Sequence, residues 1–132
     1  MRILLDTNVV ISAILFGGVP RAILDRAIRG EGDLVTSPVL LDELVAVLEE
    51  KFTFPSELVM TIRAEMEAFA DIVVPTEEPR VSRDRDDDQV LAAALAGGAE
   101  TIVTGDRDLL RLGTYARISI MEPSRFIASL EA

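Results

Sequence analysis

Five short aliphatic runs are spaced along this chain, and each is followed by a stretch whose apolar residues recur at helical intervals. They read "RILLD" (2–6), "DLVTS" (33–37), "DIVVP" (71–75), "TIVTG" (101–105) and "RISIM" (117–121). A strand that is apolar on successive residues is buried on both faces. Strands of that kind alternating with helices imply a parallel sheet covered on both sides. The expected fold class is therefore α/β: a three-layer α/β/α arrangement with a central parallel five-stranded sheet. The chain has 132 residues and no repeat, low-complexity tract or linker, so residues 1–132 are expected to form a single domain.

Helix signals fill the gaps between the strands. "TNVVISAILF" is apolar and is stopped by Gly17-Gly18. Pro20 opens a second helix, whose Ile23, Leu24, Ala27 and Ile28 form one face and which Gly30 ends. Ser37-Pro38 is a capped start for a third helix, with Leu40, Leu41, Leu44, Val45 and Leu48 on one stripe. Pro55 begins a fourth, running to about Ala70. "PTEEPRVS" reads as a loop. Helices are expected again at "DDQVLAAALAGG", near "DRDLLRL" and from Pro123.

Composition removes whole classes of chemistry. The chain has no Cys, which excludes disulfides and thiolate sites, and no His, which excludes imidazole catalysis and His-ligated zinc. A metal here would be held by oxygen, which favours hard cations such as Mg²⁺ or Mn²⁺. No segment approaches transmembrane length, and Asp6 interrupts the apolar start before a signal peptide could form, so no membrane association and a cytoplasmic location are expected. A net charge of −10 and a pI near 4.4 argue against a nonspecific nucleic-acid coat.

The acids have a pattern. In open α/β sheets, ligands bind at the carboxyl ends of the strands. Asp6 closes the first strand and Asp106 follows the fourth. Asp88 opens the helix that leads into the fourth, and Glu43 lies in the helix after the second. Taken singly, each has an ordinary reading as a cap, a turn residue, a partner of the helix dipole or a solvated charge. Capping alone gives no reason for all four to choose the same end of the sheet. Two carboxylates about 4 Å apart repel by roughly 4 kcal/mol at an effective dielectric near 20, so four together must protonate or share a cation. None of these motifs contains Lys. A divalent ion is the economical solution, and two such ions can activate water and stabilise the leaving oxygen in phosphodiester hydrolysis.

These segments carry a family resemblance. "LLDTNVVISAIL", "TSPVLLDELVAVL" and "DRDDDQVLAAALAGGAETIVTGDRDLL", in that order and with fitting spacers, resemble the PIN-domain ribonucleases, close to the VapC-like toxin components of toxin–antitoxin systems. The resemblance covers nearly the whole chain, which makes the expected domain PIN-like. Its acidic quartet falls on Asp6, Glu43, Asp88 and Asp106 as catalytic and metal-holding residues, with Asp86 and Asp87 as alternatives to Asp88. Its polar residue after the first acid matches Asn8, its Thr or Ser before the last acid matches Thr104, and Asp108 resembles an extra acid of some members. Arg85 stands where close relatives often carry Pro.

The resemblance implies a Mg²⁺- or Mn²⁺-dependent endoribonuclease, a homodimer and inhibition by a small cognate antitoxin protein. Asn8, Thr104, Asp86 and Asp108 would assist the ligands. The chain has twelve Arg and one Lys, so RNA phosphates would meet Arg, with Arg83, Arg85 and Arg107 flanking the acids. An aspartyl-nucleophile phosphatase would need an acid where Asn8 stands, and a receiver domain would need a late Lys; the one Lys is Lys51. The remaining alternative is a catalytically inactive PIN-like module that binds RNA or protein.

Overall fold

The computed structural model describes residues 1–81 and 84–131, without the side chain of Arg85. The elements run β1 (Arg2–Leu5), α1 (Thr7–Phe16), α2 (Gly18–Ile28), β2 (Asp33–Thr36), α3 (Pro38–Glu50), α4 (Ser56–Phe69), β3 (Ala70–Ile72), α5 (Arg85–Gly97), β4 (Thr101–Val103), α6 (Arg107–Leu112), β5 (Thr114–Tyr115), β6 (Ile118–Met121) and α7 (Pro123–Leu130). The sheet order is β3-β2-β1-β4-β6-β5. All pairings are parallel except β5 with β6.

The sheet thus has six strands, where the sequence predicts five. The extra strand is two residues long and turns into β6 through Ala116 and Arg117, which adopt φ of 48° and 69°. A two-residue hairpin turn of this hand is normally signalled by Asn-Gly or Asp-Gly, and Ala-Arg gives no such signal. α2 begins at Gly18, two residues before Pro20, because the first helical turn does not need proline's missing N–H. β3 lies at the sheet edge and ends at Ile72, leaving Val74 exposed, although the Val73 N–H still reaches the Thr36 carbonyl at 2.9 Å.

Strand alternation divides the core in two. Ile3, Leu5, Leu34 and Val103 face a layer that includes Val9, Val10 and Ile11 of α1, Ile23 of α2, Leu44 of α3, Val59 of α4 and Phe126 of α7. Leu4, Val35, Ile102 and Ile120 point the other way, against Val90, Leu91, Ala93 and Ala94 of α5 and Leu109 of α6. This is the three-layer arrangement that all-apolar strands predict. Burial explains why the β-branched run of α1 is helical against its modest propensity. Among the described residues no single helix is long and apolar enough to cross a membrane; α1 and α2 pass that test only as a pair bent by 104°.

α5 approaches the sheet closely. A Cβ on Gly97 would collide with Cγ1 of the fully buried Val35. The Gly97 carbonyl also accepts a 2.7 Å hydrogen bond from Arg2 Nε, and Arg2 Nη1 reaches Asp71 at 2.6 Å. Near their amino ends, β1 and β3 are thereby clamped to the end of α5, which fixes the height of that helix's other end, where the aspartates lie.

Candidate metal centre

β1 and β4 are neighbours, but the chain leaves β1 toward β2 on one side and leaves β4 toward β6 on the other. Between them lies the crevice where such sheets take ligands. The amino ends of α1, α3 and α6 follow β1, β2 and β4 directly, and α5 runs back into β4 from the same end. Four helix amino ends, each with partial positive charge, therefore surround the crevice.

Asp6 occupies the N-cap position of α1 but makes no side-chain cap bond. Its carboxylate instead accepts a 2.7 Å hydrogen bond from Thr104 Oγ1, deep in the protein. The same Thr104 oxygen accepts from the Asp106 N–H at 2.9 Å. The Asp6 N–H donates to the Val103 carbonyl at 3.0 Å, and the Thr104 N–H to the Met121 carbonyl at 3.0 Å. One buried hydroxyl thus joins the ends of β1 and β4. Asp106 caps α6 through Oδ1, which accepts from the Asp108 N–H at 2.7 Å and the Leu109 N–H at 3.3 Å.

The Asp-rich run divides its work. Asp84 caps α5 and accepts from the Asp86 N–H at 2.9 Å. Asp87 is buried and forms, with Asp106 and Asp108, a group whose carboxylate oxygens lie within 4.8 Å of one another; it is the one such group among the described residues. Asp88, also buried, accepts a 3.1 Å hydrogen bond at Oδ1 from the Val81 N–H, which ties the preceding loop to α5. Asp108 also lies 3.4 Å from Arg111 Nη1.

Charge crowding shows in the titration of two acids. Burial pushes Asp6 above the ordinary carboxylate range; the Thr104 hydroxyl and the Thr7 amide draw it back, and the charges of Asp106 and Asp86 add to the rise. Glu43, half-buried on α3, is raised to about 7, first by burial and then by the charges of Asp86, Asp6, Asp84 and Asp87. Acids from four separate segments therefore feel one another here.

Of the residues marked in the sequence, Asp6, Thr104 and Asp106 meet through direct hydrogen bonds, and Glu43 and Asp86 share their field. Asn8 is exposed in the first turn of α1, and Arg107 is exposed at the first position of α6. Arg83 lies outside the described residues, as does the side chain of Arg85. Asp87, an alternative to Asp88 in the sequence, enters the cluster, and so does Asp84, which the sequence did not assign. The donor set is all oxygen and its acids repel, which fits a hard divalent cation.

The profile of a family described as "PIN domain" matches residues 2–108. No curated protein sequence matches. Among solved structures, VapBC-1 from nontypeable Haemophilus influenzae superposes with a TM-score of 0.66 at 15% identity, over 94% of this chain and 99% of that one. VapBC2 from Rickettsia felis, bound to a DNA fragment from its promoter, gives 0.64 at 15% identity over 91% and 97%. FitAcB from Neisseria gonorrhoeae gives 0.55 at 19% identity over 92% and 98%. At these identities the likeness is one of fold.

Proposed function

Because the chain belongs to the PIN domain family, we propose that it is a Mg²⁺- or Mn²⁺-dependent endoribonuclease that hydrolyses RNA phosphodiester bonds, and the toxin of a toxin–antitoxin pair. The fold shared over almost the full length with chains of the VapBC and FitAcB structures supports the second part. A cognate antitoxin and a homodimer belong to the same reading.

The observation that carries the reading is the orientation of Asp6. A capping aspartate bonds the second or third amide of its own helix; this one makes no such cap bond and is held instead by Thr104, whose hydroxyl also takes the Asp106 N–H. Asp6, Glu43, Asp87 and Asp106 would hold the ion. Asp87 takes the position for which Asp88 was the sequence's first choice, because Asp87 lies with Asp106 and Asp108 while Asp88 binds the Val81 amide. When bound, the ion lowers the pKa of a coordinated water and takes up charge on the leaving oxygen. Glu43 accepts a hydrogen bond from the attacking water and orients it. Thr104 keeps the Asp6 carboxylate in one rotamer, Asp108 offers a further oxygen within reach of Asp87 and Asp106, Asp86 adds negative field, and Asn8 offers an amide at the rim. Arg107 meets RNA phosphates, the role the sequence also gives to Arg83 and Arg85.

Defined single-stranded RNAs incubated with the protein, with and without Mg²⁺ or Mn²⁺, test this. Cleavage that requires the ion and disappears in Asp6→Asn is expected. Full metal-dependent activity in that variant would overturn the assignment, and RNA binding without turnover would favour a PIN-like binding module.

A further inference from the structure

A cleft of about 520 Å³ opens between α6 and the β6–α7 junction. We infer that it binds one nucleotide of the RNA flanking the scissile phosphate, with Arg125 on the phosphate and the base against Leu110, Leu112 and Met121. The inference rests on the nuclease reading above and adds a substrate subsite to it.

The cleft and the site are joined by a hydrogen bond and by the helix they share. Met121, on its wall, gives its carbonyl to the Thr104 N–H at 3.0 Å, and Thr104 is the residue that holds Asp6. α6 presents Asp108 to the acid group near its amino end and Leu110 and Leu112 to the cleft further along. α7 starts at the carboxyl end of β6, so Arg125 stands in its first turn, at the same end of the sheet as the acids. The volume lies within the roughly 300–1,000 Å³ of small-molecule sites.

Its chemistry is that of a nucleotide. Apolar side chains supply a face for a base, and the hydroxyls of Thr114 and Ser119 can bond a ribose or a base edge. Glu122 at the rim is an acceptor for an exocyclic amine. Arg125 is exposed, and among the described residues no carboxylate lies within ion-pairing distance of it, in a chain with 23 acids. Like Arg107, which also makes no ion pair among the described residues, it is available to an anionic ligand. Thr114 and Ser119 are paired across the β5–β6 hairpin, so the strained Ala116-Arg117 turn sets that wall.

The test compares Arg125→Glu with Arg29→Glu, a change of equal charge at the opposite end of the sheet. A fluorescein-labelled single-stranded hexaribonucleotide of mixed sequence is the probe. Its binding is read by anisotropy in the Asp6→Asn background with Mg²⁺, and its cleavage by steady-state kinetics in the otherwise unaltered protein. Arg125→Glu should weaken binding and raise KM about tenfold with kcat nearly unchanged, and should lower the salt dependence of binding by about one phosphate contact. Arg29→Glu should change neither. Thr114→Tyr, which fills the cleft at an exposed strand position, should reproduce the KM effect. Equal effects of Arg125→Glu and Arg29→Glu, or none from either Arg125→Glu or Thr114→Tyr in a protein that cleaves, would overturn the cleft while leaving the nuclease reading intact. Arg125-dependent binding in a protein that never cleaves would uphold the cleft and overturn the nuclease. Absence of both binding and cleavage would overturn both.

Discussion

The single hydroxyl proton of Thr104 goes to Asp6 Oδ2, so the Asp106 N–H must approach a lone pair of the same oxygen. Valine at this position keeps the shape and loses both bonds. Thr104→Val should therefore cost about 1–3 kcal/mol of stability and weaken Mn²⁺ binding, while Thr104→Ser should keep most of both; denaturant midpoints for the two variants decide the matter, and equal midpoints would count against the bridging role. Among the aspartates of α5, Asp87→Asn should weaken Mn²⁺ binding strongly. Asp88→Asn should change it little, because an asparagine oxygen can still accept from the Val81 N–H; calorimetry showing equal losses would refute that division. The positions of Asp6 and Asp106 were legible in the sequence because they follow the ends of β1 and β4, and that of Glu43 because it lies early in the capped helix after β2. The choice between Asp87 and Asp88 was not, since both precede buried residues of α5 by three and four positions and both are buried.

At the scale of elements, α5 delivers the aspartates and Gly97 sets its distance from the sheet. Gly97→Ala places a methyl group against Val35, which is β-branched and fully buried and so cannot move aside easily. A loss of about 1–3 kcal/mol is expected, with weakened metal binding as the helix shifts. Adding Val35→Ala should recover part of the metal binding; if the single variant binds metal and unfolds like the parent, the close approach is unimportant. The β5–β6 hairpin makes the opposite forecast. Arg117 holds a φ of 69°, so Arg117→Gly should raise stability by up to about 1 kcal/mol in thermal or denaturant unfolding, and a fall would contradict the strain. Strand-helix alternation was plain in the sequence because the strands are buried on both faces. The two-residue β5 escaped because neither its length nor its Ala-Arg turn carries a local signal, and pairing with β6 alone creates it.

Across the whole molecule, acids from four separate segments meet at the carboxyl end of the sheet, and that arrangement has a pH signature. Glu43 rises from 4.5 to about 7 on folding, so between those values the folded protein holds a proton that the unfolded chain has released. Without divalent ions, this group's contribution to stability is full below pH 4.5 and is lost as pH rises through about 7; Asp6 acts in the same direction. Glu43→Gln should flatten the decline, and Mn²⁺ should reverse it by binding the folded state. Unfolding curves at pH 5 and 7.5, with and without Mn²⁺, check this, and a metal-free stability that increases over that interval in step with Glu43 would disprove it. The convergence of distant acids is the claim on which the rest depends, and Mn²⁺ titration calorimetry at pH 7.5 on the parent, Asp6→Asn and Asp106→Asn tests it most directly. Saturable binding in the parent, weakened about tenfold or more in each variant, is the predicted result; equal affinity in all three would contradict it.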